Sequence, residues 1–322
     1  MKRLSIVLAA LGVLLGMALI AWFGAGRVAE AVISVGWTGF AVLILVQMVL
    51  FLILGAAWDA IVPDKESRRL WVFLWGRMVR DAAANCLPFS QMGGFVLGAR
   101  TVTLAGIAWP VATASTLVDV TAEFLAQVAF AAFGLVILLV RSPGHYLAPP
   151  LAIALLVSVA AGIGFIWLQK GAAPIFARLG RRIAGEWFEN AQPRVDLLQH
   201  ELGVLYARPG HLALGSAIHL LGWVGTGVGG WMAFRLVGAD IDLPAALAIE
   251  ALLHVALAAA FLVPGSVGVQ EVAYVALGAI FGVPPELCLG ASLIRRARDL
   301  ALGVPVLLAW QLVEVRRLRA NR

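Results

Sequence analysis

The stretch Leu262–Glu271, LVPGSVGVQE, interrupts a long apolar run with a proline, two glycines and then a carboxylate. Pro264 removes a backbone donor, and Gly265 and Gly268 permit turns that other residues resist. At membrane depth such a break must find its hydrogen-bond partners in protein or water, because lipid offers none. A second break, CLPFSQMGGF, lies upstream at Cys86–Phe95, and the rest of the chain is organised around the two.

Working outward, composition sets the solvent. The 322 residues are 62% hydrophobic and 13% charged, with a mean hydropathy of +0.95, which describes an all-α polytopic membrane protein rather than a soluble core. The net charge of +6 is not a nucleic-acid signature, because the basic residues sit between apolar spans and at the C-terminus, where the positive-inside bias puts them. Cys86 and Cys288 form neither a CxxC nor a disulfide framework. Met1–Phe23 starts like a signal peptide but is about span length and lacks a small-x-small cleavage site, so a retained first helix is expected.

Six segments are long enough to cross ~30 Å of hydrocarbon as helices: 4–23, 36–58, 110–140, 147–168, 211–236 and 287–314. Between them, 68–106 and 243–283 carry the breaks, and each is expected to enter the membrane and return to its own side; full crossings remain an alternative, giving six to eight in all. With both termini cytoplasmic, 18 of the 24 Lys and Arg fall on the cytoplasmic side, including six from Lys65 to Arg100. Only Arg27, Arg141 and Arg235 face outward, while Arg295, Arg296 and Arg298 lie inside the last span. That asymmetry sets the expected orientation in the cytoplasmic (inner) membrane.

An internal repeat follows. A shift of 176 residues puts Pro88 on Pro264, Gly106 on Gly282, Thr116 on Ser292, Asp119 on Arg295 and Glu123 on Asp299; one residue of slack aligns Gly93 with Gly268. The halves, about 36–140 and 211–314, each run span, broken hairpin, span in opposite senses. This is the inverted-topology repeat of secondary transporters, in which discontinuous helices meet around a substrate site. The polar loop 170–210 places Phe176, Ile183 and Trp187 at helical spacing opposite Arg178, Arg181 and Arg182, as in a helix lying on the cytoplasmic leaflet. Such a helix anchors the loop or docks a lipid-biosynthesis enzyme.

Asp119, Glu123 and Gln127, spaced by four, share one face of the third span. A carboxylate at the bilayer centre costs about 2.5–3.5 kcal/mol on insertion scales, so the row must face partners. The repeat-related Arg295 and Asp299 supply opposite charge, and the expectation is a buried cluster of Asp119 and Glu123 with Arg295 and Asp299 between the halves. That cluster either binds a polar head group or only holds the halves together. Glu250 and His254 are spaced by four on the arm before the second break; two such residues without HExxH or a third ligand make a weak metal site, and no cofactor or metal is expected. Arg80, Asp81, Asn85 and Arg100 flank the first break, where interfacial snorkelling suits Arg80 and Arg100 and suits Asn85 less.

RDAAANCLPFSQMGGFVLGARTVTLAG, then TLVDVTAEF and FLVPGSVGVQEVAYVALGAIFGVPPE, resemble the flippase-like membrane region of lysyl-phosphatidylglycerol synthases and their stand-alone relatives. The LPFSQMGGFVLGAR wording is most similar to the hopanoid-biosynthesis-associated branch. On that resemblance, Pro88, Gly93, Gly94 and Arg100 correspond to the first break motif, with Gly94 where the family's glutamate usually stands. Asp119, Val120 and Glu123 correspond to an acidic-Arg-x-x-Asp pattern without its arginine, and Pro264, Gly265, Gly268 and Glu271 keep the second break. The resemblance implies movement of a lipid, hopanoids included, between leaflets. Two other classes carry different expectations: an intramembrane lipid-modifying enzyme using Glu250, His254 and Glu271, or a scaffold for lipid-synthesis enzymes.

Overall fold

The computed structural model describes residues 25–62, 69–87, 90–171, 193–259 and 268–320, and every regular element among them is a helix. In chain order these are α1 (Ala25–Ile61), α2 (Leu70–Cys86), α3 (Ser90–Leu104), α4 (Trp109–Arg141), α5 (Ala148–Gly171), α6 (193–206), α7 (Pro209–Leu236), α8 (Leu243–Ala259), α9 (Val269–Ile280) and α10 (Pro285–Ala320). Five of the six expected spans thus become α1, α4, α5, α7 and α10. The expected first span, 4–23, lies outside the described residues, as do Pro88, Pro264, Gly265 and the face formed by Phe176, Ile183 and Trp187.

Among the described residues, Ile33–Ile61, Trp109–Arg141, Ala148–Gln169 and Pro209–Leu236 are long and apolar enough to cross a membrane. α1 is interrupted at Gly36, whose φ of 77° is left-handed, so its continuous span begins there. α10 has the length to cross, but the four charged residues in its middle, Arg295, Arg296, Arg298 and Asp299, must find partners within the protein. α2, α3, α8 and α9 have 17, 15, 17 and 12 residues. At 1.5 Å per residue they reach only about 18–26 Å, short of a ~30 Å hydrocarbon core.

α2 and α3 form an antiparallel pair held by close backbone approach. A Cβ on Gly94 would lie 2.7 Å from the Arg80 carbonyl oxygen, and one on Gly98 would lie 3.4 Å from that of Gly76. Small residues at such crossings let helices pack where lipid supplies no hydrophobic drive. Gly134 does the same for α4 against α8, with its Cβ position 2.6 Å from that of Ala251. The largest core cluster joins both ends of the chain: Leu43 and Leu138 pack with Phe234, Ile249, Leu252, Tyr274 and Ile294.

The turns before α4 and α10 match residue for residue at the 176-residue spacing. Gly106 (φ 95°) and Gly282 (φ 75°) are both left-handed, and their N–H groups donate to Thr103 at 3.0 Å and Ala279 at 3.2 Å. The next helix opens with Ala112 donating to Ala108 (2.9 Å) in one half and Cys288 to Pro284 (3.1 Å) in the other.

Ion pairs tie the loops at each end of the helices. At one end Arg141 holds Asp242 at 2.6 Å, joining the segment after α4 to the one before α8. At the other, Arg69 donates to the Ala105 carbonyl at 3.3 Å, Arg317 donates to the Leu104 carbonyl, and Arg100 pairs with Glu314 at 2.8 Å. The bond from Arg141 holds the exposed Asp242 carboxyl below its usual range. A depressed folded-state value means that the pair contributes at neutral pH and is lost as pH falls through it. Carbon-13 NMR should show Asp242 titrating low and returning to the ordinary range in Arg141→Gln. An unchanged titration would show that the pair does not persist in solution.

Candidate functional site

Two buried charge clusters lie where helices too short or too charged to span alone pack against longer neighbours. The first begins on α2, where Arg77, Arg80 and Asp81 share a face by their spacing of three and four. They meet Asp119 and Glu123 of α4. Arg77 makes a forked pair with Glu123 at 2.8 and 2.7 Å and also holds Asp81 at 3.0 Å. Arg80 bonds Asp119 at 2.6 Å and Glu123 besides, with its guanidinium 4.8 Å above the Phe95 ring. From α7, His219 Nε2 lies 2.8 Å from the other Asp119 oxygen. Asp119 and His219 are both 0% exposed.

The second cluster is built from α8, α9 and α10. Tyr274 donates its hydroxyl to Glu250 at 2.5 Å, and Arg295 bonds both Glu250 and Tyr274. Room for the Glu250 carboxylate is provided by Gly230 on α7, where any Cβ would collide with it. Beside this triad, Glu271 accepts from the Gly268 N–H (2.8 Å) at the start of α9 and from Ser292 (3.3 Å), with Arg296 at 3.5 Å. Gln270 donates to Ser292 at 2.9 Å. Arg298 pairs with its neighbour Asp299 at 2.7 Å.

A polar and aromatic strap joins the clusters. The Trp223 indole donates to the Glu123 carbonyl at 3.2 Å, and its ring meets His254 edge-on at 4.6 Å. His254 bonds the Glu250 carbonyl through Nδ1 at 2.8 Å, and Gln127 donates to the His254 carbonyl at 3.2 Å.

This arrangement corrects the expected pairing. Asp119 and Glu123 do not meet Arg295 and Asp299; they take Arg77 and Arg80 from their own half, and Asp119 also takes His219 from the other. The cause is Arg77 and Arg80, which the basic-residue count placed in a cytoplasmic loop. They are instead 5% exposed and lie along α4. Glu250 and His254 do not converge as ligands, since the His254 ring bonds a backbone oxygen of its own helix. No set of three or more His, Cys, Asp or Glu residues able to hold a metal occurs among the described residues.

The remaining candidates scatter. Asn85 is exposed at the end of α2, Arg100 is half exposed on Glu314, and Gly93 has open space around it. Gly94 abuts the Arg80 backbone, so a side chain there has no room. Sequence reasoning assigns no role to Tyr274, reads Arg80 as an interfacial, snorkelling arginine and uses Arg77, with Arg80, only to argue against a full crossing; the burial of Arg80 on Asp119 corrects the snorkelling reading. Arg77 and Arg80 carry a signal, since two arginines in the apolar run LWVFLWGRMVR need acidic partners.

No curated protein and no solved structure matches the chain. A family model described as the lysylphosphatidylglycerol synthase TM region matches residues 9–306, which takes in both clusters and both breaks. By that match the chain belongs to the lysylphosphatidylglycerol synthase TM region family, multi-pass membrane proteins related to lipid modification or transport.

Proposed function

We propose that this protein is a lipid transporter of the flippase type, moving a hopanoid or related amphiphilic lipid between leaflets without chemical conversion. The observation that carries the reading is the pair of buried ionic clusters, each built where helices too short to span, α2 in one and α8 and α9 in the other, meet longer ones. Charges are costly at membrane depth and mark polar pathways there. The residue-for-residue turns at Gly106 and Gly282 support an inverted repeat with α2–α3 and α8–α9 as re-entrant hairpins. On this reading both termini face the cytoplasm of an inner membrane, the end bearing Arg69, Arg100 and Arg317 is cytoplasmic, and the Arg141–Asp242 end is outside. Residues 1–322 form one domain, whose partners are the lipid and lipid-biosynthesis enzymes at the cytoplasmic face. The substrate head group passes between α2 and α10, with Arg296, Arg298 and Glu271 beside the second break.

Leaflet exchange of a fluorescent lipid in proteoliposomes tests the proposal, and exchange no faster than in protein-free vesicles would sink it. A covalent lock sharpens the test. A Cβ on Gly303 of α10 would lie 2.6 Å from the Cys86 sulfur on α2, close enough for Gly303→Cys to form a disulfide. Oxidation of that variant should reduce exchange at least tenfold, and reductant should restore it. Equal exchange in the oxidised and reduced protein would show that α2 and α10 do not separate during transport.

A further inference from the structure

The first cluster does not balance. Asp81, Asp119 and Glu123 bring three carboxylates, while Arg77 and Arg80 bring two guanidinium groups, which leaves one negative charge in excess if His219 is neutral. The other buried ion pairs among the described residues match one to one: Glu250 with Arg295, Glu271 with Arg296, and Asp299 with Arg298. An uncompensated charge out of water is expensive, so the excess calls for a cation.

The cluster offers two acceptors for a proton, the edge carboxylate of Asp81 and the buried ring of His219. His219 is fully buried, its Nε2 is engaged by Asp119, and its Nδ1 has no hydrogen-bond partner among the described residues. With Nε2–H donating to Asp119, a proton added at Nδ1 converts the ring to imidazolium and brings the cluster to neutrality. No bond other than N–H forms or breaks, and Asp119 stays ionised. The surroundings favour that state from α4, through Asp119 and Glu123, and oppose it from α2, through Arg77 and Arg80, which those same carboxylates offset. From α8, Glu250 is already matched by Arg295, and His254 meets edge-on the ring of Trp223, one turn from His219. α1 brings Asp59 near its C-terminal end. Glu123 and Asp81, with side chains 15% and 22% exposed, give the cluster an edge toward solvent.

We propose that the Asp119–His219 pair is a proton-binding site, and that protonation at His219 Nδ1 couples a proton gradient to transport. The coupling rests on the transport reading above, whereas the proton site does not. Nitrogen-15 NMR of histidine-labelled protein in nanodiscs, recorded from about pH 8 down to about pH 5 with His219→Gln to assign the signal, should show the His219 ring passing from neutral to imidazolium. Asp119→Asn should lower its proton affinity at least tenfold, because the counter-charge is gone. A ring that stays neutral across that range, or a signal that follows sodium instead of pH, overturns the site. In proteoliposomes an imposed pH gradient should accelerate lipid exchange at least fivefold, and His219→Gln should abolish that acceleration. Exchange that ignores the gradient in the unmodified protein overturns the coupling. Absence of exchange under every condition overturns the transport reading instead, and the NMR titration still decides the site.

Discussion

Replacing Arg80 by Met should destabilise the protein by about 3–5 kcal/mol, the cost of leaving a buried charge without its partner. Arg80 is the group that holds Asp119 and Glu123 together, bonding one at 2.6 Å and touching the other, with only 5% of its surface exposed. Met matches its stem in length and apolar character but supplies no donors. Adding Asp119→Asn should recover part of the loss, because the carboxylate that was stranded is then neutral. Arg295→Gln combined with Asp119→Asn should instead be additive, since these two residues serve different clusters. Thermal unfolding in detergent for the singles and both doubles reads out the comparison. Additivity of Arg80→Met with Asp119→Asn, or coupling of Asp119→Asn with Arg295→Gln, would mean that the helices meet in another register.

The second large effect is expected at Gly230. A methyl group there would fall on the Glu250 carboxylate, which is 0% exposed and already bonded to Tyr274 and Arg295. Gly230→Ala must therefore displace the acid, separate α7 from α8, or both. Overpacking alone typically costs about 1–3 kcal/mol, and disconnecting a buried ion pair brings the expected loss to the upper end of that range or beyond. Shortening the acid with Glu250→Asp should rescue part of it. Gly93→Ala provides the contrast, because nothing lies within 4 Å of its Cβ position and its backbone is helical. There alanine should be neutral or stabilising by up to ~1 kcal/mol. Equal effects at the two glycines would show that Glu250 does not sit where the packing puts it.

The elements were legible in the sequence because hydrocarbon imposes a length and an apolar composition that each span must meet by itself. α4, expected at 110–140, is Trp109–Arg141, and α7, expected at 211–236, is Pro209–Leu236. The turn at Gly282 was likewise foreseeable from Gly106, since an αL glycine ahead of a proline-initiated helix is a local instruction. Family membership followed from the same local wording around the two breaks.

The ion pairing was not legible in the same way. Sequence shows that Asp119 and Arg295 each require a partner, because neither can be left bare in a low-dielectric interior. It does not show which partner, since hydrogen bonds reach only about 3 Å and the choice depends on the depth and rotation of each helix. Those were decided by contacts between residues far apart in the chain: Gly94 against the Arg80 backbone, which sets α3 on α2, and Gly230 against Glu250, which sets α7 on α8. The sequence by itself determined the membrane class, the spans and the need for charge compensation. The tertiary structure alone decided which partner each charge takes, because helix packing lays Arg77, Arg80 and His219 against Asp119 and Glu123 on α4 and keeps Arg295 on Glu250.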